Sequence, residues 1–67
     1  MAKRKNLFRM KIETDNAAFD YGNGPGEVSR LLKEVQGLVL DGGTGGDLHD
    51  INGNFVGTWS LTFPKEK

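Results

Sequence analysis

Pro25-Gly26-Glu27-Val28-Ser29-Arg30-Leu31-Leu32-Lys33-Glu34-Val35-Gln36-Gly37-Leu38-Val39-Leu40-Asp41 decides the fold of this 67-residue chain. Val28, Leu31, Leu32, Val35 and Val39 recur at the spacing of one apolar helical stripe, and Ser29, Arg30, Lys33, Glu34 and Gln36 occupy the other side. Pro25 suits a first helical turn, where its missing N–H costs nothing, and Glu27 complements the positive end of the helix dipole. Gly42 suits the left-handed residue beyond the end. Gly37 is the weak point, because glycine costs about 1 kcal/mol in a helix interior. A helix ending there would leave Leu38–Leu40 extended. Val39 keeps the stripe, so the helix is expected to continue.

Strands are expected on either side. From Leu7 to Thr14, Phe8, Met10 and Ile12 alternate with Arg9, Lys11 and Glu13, the period-two pattern of a sheet with one wet face. Thr14 to Gly26 reads as a loop rich in turn formers. Within it, Phe19 is expected to close one end of the core, and Asp15 or Asn16 to hydrogen-bond nearby backbone amides. After the helix, Gly42 to Gly46 reads as a flexible connector. Asp47–Ile51 and Asn54–Phe63 then form a hairpin about Asn52-Gly53, a strong hairpin signal. A two-residue loop pairs Ile51 with Asn54. A three-residue loop with Gly53 left-handed pairs Asp50 with Asn54 and sets Leu48 opposite Val56. Alternation from Phe55 turns Trp59, Leu61 and Phe63 toward the helix, and Gly57 marks a bulge or close approach. The expected fold is α+β in the order β-α-β-β, with one amphipathic helix on a three-stranded sheet. Residues 1–6 form a basic leader, 7–63 a single domain and 64–67 a tail.

Composition narrows the function. A chain this short builds one core, expected to supply about 3–5 kcal/mol of net stability. It has no cysteine and one histidine, which excludes disulfides, a cysteine zinc site and a histidine-rich metal site. No cofactor is expected. No apolar run reaches the roughly 18 residues that span a bilayer, so no membrane partner is expected. Absence of cysteine and of a signal peptide points to the cytoplasm. Net charge is zero but polarised. Lys3, Arg4, Lys5, Arg9 and Lys11 stand together near the start, whereas residues 12–63 carry eight acids against Arg30 and Lys33. The basic cluster is either a phosphate-contacting arm or a solvated, solubilising face.

The motifs that invite chemistry have simpler explanations. Gly22-Asn23-Gly24-Pro25-Gly26 precedes a helix but lacks the lysine and hydroxyl of a phosphate loop, so it reads as a turn. Asp47, Asp50, Asn52 and Asn54 do not meet the calcium-loop pattern, and turn chemistry explains them. His49 would need a nucleophile and an orienting acid. Asp47 and Asp50 are near it in sequence but are not expected on its face. Glu13 and Asp15 could do acid–base work only in a pocket, for which this fold has little room. Trp59 is expected in the core. If exposed with Tyr21 or Phe55, it would anchor a partner or stack a base. No catalytic centre is expected.

Three segments carry a resemblance: Ile12-Glu13-Thr14-Asp15-Asn16-Ala17-Ala18-Phe19, the Glu27–Leu32 helix start, and Leu48-His49-Asp50-Ile51-Asn52-Gly53-Asn54-Phe55-Val56-Gly57. Together they resemble a group of small uncharacterised proteins of bacteria, phages and other mobile elements with no established activity. The resemblance implies a cytoplasmic accessory protein that binds a host protein. The leading expectation is therefore a non-enzymatic protein-interaction module with Thr58, Ser60 and Thr62 on the partner surface, and a homodimer through a sheet edge or the open sheet face stays open. The alternative is a nucleic-acid binder that sets Lys3, Arg4, Lys5, Arg9 and Lys11 against phosphates.

Overall fold

A computed structural model describes residues 6–63. Strand β1 (Phe8–Ile12) leads through a short 3₁₀ turn (Ala17–Phe19) to helix α1 (Gly24–Leu40). Strands β2 (Gly45–His49) and β3 (Phe55–Leu61) follow as a hairpin. The expected α+β fold is present, with one helix on a three-stranded antiparallel sheet in the order β1-β3-β2. β3, the longest strand, lies at the centre. It pairs with β1 from Phe8↔Leu61 to Ile12↔Gly57 and with β2 from Gly45↔Ser60 to His49↔Phe55.

α1 runs through Gly37, as the stripe requires, and ends in a Schellman motif. The Gly43 N–H donates to the Leu38 carbonyl (2.8 Å) and the Gly42 N–H to that of Val39 (3.0 Å), with Gly42 left-handed at φ +97°. Leu31 and Val35 on α1 are buried with Phe19, Leu48, Val56 and Trp59, and Met10, Ile12, Ala18, Val28, Val39 and Leu61 pack around them. Leu32 departs from the expected stripe and is 52% exposed. Three strands at about 4.8 Å spacing present a face wider than one helix covers. Phe8 and Leu32 are left at the uncovered margin beside β1.

The hairpin selects one of the two turn forms and corrects the bounds of β2, the partner of Leu48 and the placement of Phe63. β2 begins and ends two residues earlier than expected, so Gly45 and Gly46 are strand rather than connector. The turn is the three-residue form: the Asp50 N–H donates to Asn54 (2.8 Å), the Gly53 N–H to Asp50 (2.9 Å), and Gly53 is left-handed at φ +87°. A bulge then sets Leu48 opposite Gly57, not Val56, because Val56 is the extra residue between the pairs Leu48↔Gly57 and His49↔Phe55. The bulge reverses the parity of the strand, burying Val56 with Trp59 and leaving Phe55 exposed. Phe63 lies beyond the end of β3 and is exposed as well. Gly57 is the expected close approach, since a Cβ there would run into the Lys11 carbonyl of β1.

Candidate functional site

β-Strand alternation and register build a polar open face. Arg9 stands opposite Ser60 and Lys11 opposite Thr58, with Asp47 on the far side of Thr58. All five are exposed, and a shallow depression of about 440 Å³ lies among Arg9, Lys11, Thr58 and Ser60. Thr62 continues the row at the end of β3, its hydroxyl accepting from the Leu7 N–H at 2.9 Å. Glu13 and Asp15 are exposed. The structure thus brings Arg9, Lys11, Thr58 and Ser60 together. Lys3, Arg4 and Lys5 lie outside the described residues.

His49 and Phe55 meet edge to face on the same side of the sheet, ring centroids 6.0 Å apart. Asp47 shares that side, contrary to expectation, because residues two apart on a strand point the same way. Asp50, one residue on, turns inward and is buried.

A polar brace joins the start of α1 to the hairpin. Arg30 grips the buried Glu27 carboxylate with two parallel N–H···O bonds of 3.0 and 2.8 Å, and also donates to the His49 carbonyl at 3.1 Å. Glu27 in turn accepts the Ile51 N–H at 2.9 Å. The Arg30 guanidinium, helped by that amide, holds the Glu27 carboxyl below its ordinary range, and Glu27 raises Arg30. One Asp50 carboxylate oxygen accepts the N–H groups of Asn52 and Asn54, both at 2.9 Å. The other accepts the side-chain amides of Asn16 (3.1 Å) and Asn54 (3.3 Å). The Asn54 amide is the largest of the causes that lower the Asp50 carboxyl. Turn chemistry thus accounts for Asp50, Asn52 and Asn54, whereas Asp47 is a strand residue on the open face, and Asn16 reaches a carboxylate rather than the backbone amides expected for it. At the amino end of α1, the Glu27 carboxylate opposes a bound anion, which further weakens the phosphate-loop reading of Gly22–Gly26.

The sequence pattern missed an apolar groove between β1 and α1. Phe8, Met10, Leu32, Val35, Val39 and Leu40 line about 380 Å³ open to solvent. Phe8 is 48% exposed, with its ring 6.3 Å from that of Trp59, and Leu40 is 83% exposed. The available signal was the apolar surplus on the helix: Leu32, Leu38 and Leu40 widen the stripe beyond what a sheet face needs. Trp59 is buried, so it is not itself an exposed anchor. Tyr21 is 98% exposed in a turn with φ +57°, at the opposite end of α1 from Leu40. No helix among the described residues is long and apolar enough to cross a membrane. In comparisons with known proteins, no family model, curated protein or solved structure matches the chain.

Proposed function

We propose that this chain is a non-enzymatic protein-interaction module that binds its partner through the groove between β1 and α1. The observation that carries the reading is the contiguous exposure of Phe8, Leu32 and Leu40 around one trough in so small a domain. Exposed apolar surface of this kind costs solubility unless something covers it, and it commonly marks an interaction site. The resemblance of the Ile12–Phe19 and Leu48–Gly57 segments to small bacterial and phage proteins supports an accessory role in the cytoplasm, exercised by binding a host protein. The test is site-specific photo-crosslinking in native lysate from position 32 or 40, with position 60 on the open face as control. Protein adducts at 32 and 40, suppressed by excess wild type but not by Leu32→Glu, are expected. Adducts only at position 60 would refute the reading.

A second reading rests on Arg9 and Lys11 sharing the open face with Ser60 and Thr58. That arrangement suits phosphate contacts by a nucleic-acid binder, with the hydroxyls beside the cations. Binding to mixed DNA and RNA that falls steeply with salt would support it, and no binding at low salt would remove it.

A further inference from the structure

We infer that the groove takes one extended peptide strand whose residues alternate apolar and acidic, added to the free edge of β1. The inference rests on the proposed interaction function and names the chemistry of its partner. β1 is an edge strand of the sheet. The Leu7 carbonyl accepts from the Thr62 N–H and the Glu13 N–H donates to the Val56 carbonyl, so the odd-numbered residues turn their backbone groups toward β3. Antiparallel alternation then turns those of Phe8, Met10 and Ile12 outward, away from β3 and toward the free edge. Such a row is a template for strand addition.

The two faces of that edge differ. On the helix side lies the groove, with Phe8 and Met10 on the strand and Leu32, Val39 and Leu40 on the helix. On the open side Arg9 and Lys11 are the exposed side chains of β1. An added strand places alternate residues into the groove, and the residues between them directly opposite Arg9 and Lys11. In an antiparallel addition those opposite positions are non-hydrogen-bonded pairs, in which side chains come closest, about 4.5–5.5 Å between Cβ atoms. Aspartate or glutamate there meets a cation, whereas lysine or arginine meets its own charge. The five residues of β1 set the minimum length: three apolar positions flanking two acidic ones. The alternation itself reads the same in either chain direction.

A second copy of the chain fits less well. Pairing β1 with β1 crowds two Arg9 and two Lys11 side chains onto one face, where like charges repel. β2 offers Asp47 to those cations, but its alternate apolar residue, Leu48, is fully buried in its own core and cannot fill another molecule's groove.

The experiment titrates the full chain, labelled with ¹⁵N, with three capped synthetic peptides: Val-Glu-Val-Glu-Val between Gly-Ser flanks, its scrambled form Val-Val-Val-Glu-Glu, and Val-Lys-Val-Lys-Val. The alternating acidic peptide should shift the amides of Phe8, Met10 and Ile12 and bind at least tenfold more tightly than the other two. Leu32→Glu, a change at an exposed position, should weaken that binding at least tenfold while the spectrum stays folded. Arg9→Glu with Lys11→Glu should transfer the preference to the lysine peptide. Equal binding of the alternating and scrambled peptides, shifts confined to other strands, or no binding overturns the inference. So does a concentration-dependent dimer held through β1. If the peptides fail while crosslinking from positions 32 and 40 still captures a competed partner, strand addition falls and the interaction function stands. If both fail, both fall.

Discussion

Gly37 and Gly42 isolate backbone conformation as the cause of helix stability, because both would carry a Cβ into open space with nothing within 4 Å. Gly37 lies inside α1, three residues from its end, and its carbonyl accepts the Asp41 N–H at 3.1 Å. Alanine there gains no packing and meets no clash, so only the glycine penalty is removed. That is worth about 0.8–1 kcal/mol in favour of the folded state. For a domain this size 1 kcal/mol moves Tm by about 4–8 °C, and with a urea m value near 1 kcal/mol/M it moves the midpoint by close to 1 M. Gly42, in contrast, is left-handed at φ +97°. Alanine at position 42 should lower stability by about 1–2 kcal/mol, the cost of that conformation for a residue with a Cβ. Thermal and urea denaturation followed by circular dichroism at 222 nm should therefore move in opposite directions for the two variants. A neutral or negative Gly37→Ala would show that α1 does not continue as regular helix through that residue. A neutral Gly42→Ala would show that the left-handed terminus is not required.

Four further outcomes follow from the packing and the brace. Gly57→Ala should cost on the order of 3 kcal/mol, at the upper end for overpacking, since its Cβ meets the Lys11 backbone and β1 must move; amide exchange of Arg9 and Lys11 should rise with it. Leu31→Ala should cost about 2–5 kcal/mol, comparable to the whole stability of a domain this small, and leave the chain largely unfolded by near-ultraviolet dichroism. Leu32→Ala, at a half-exposed position, should stay folded. Glu27 and Asp50 have folded pKa values below their ordinary 4.5 and 3.8, so their stabilisation is full above those values and is lost as pH falls through the lower folded ones. Urea midpoints should drop between pH 5 and pH 2, and Asp50→Asn should flatten that drop; an unchanged pH dependence in Asp50→Asn would refute the assignment.

What the sequence made legible was local. The stripe from Val28 to Val39, the left-handed Gly42 and the Asn52-Gly53 turn each involve neighbours within a few positions, where spacing alone specifies geometry. Strand order was not local. β1 joins the outer side of β3 because Met10 meets Trp59 across 49 positions of sequence, a pairing that no periodicity contains. The parity error at Val56 has a single cause. One extra residue flips every side chain on one side of it relative to the other, so an alternation that holds from Trp59 to Leu61 does not carry back to Val56 and Phe55.

The candidate site was harder to read than the fold because its defining features are differences between elements. Arg9 and Lys11 were evident as cations, and Thr58 and Ser60 as wet-face residues, but only the register joins them. Glu27 could be seen as a helix-start acid, yet its partner amide belongs to Ile51, which the hairpin brings to it. The groove arises from a mismatch of widths. A sheet that one helix covered fully would bury Leu32 as well as Leu31, and the two leucines are adjacent in sequence. Which of them is exposed depends on how far α1 lies from β1. The unpaired edge has a separate origin: backbone groups point within the sheet plane, so the order β1-β3-β2 leaves those of Phe8, Met10 and Ile12 outward whatever α1 covers. A larger side chain at Val39 that pushed α1 further from β1 should therefore widen the trough and leave the outward edge of β1 as it is. Outward amides of Phe8, Met10 and Ile12 whose exchange changed in step with the trough, in a variant of unchanged global stability, would show that the two are coupled after all.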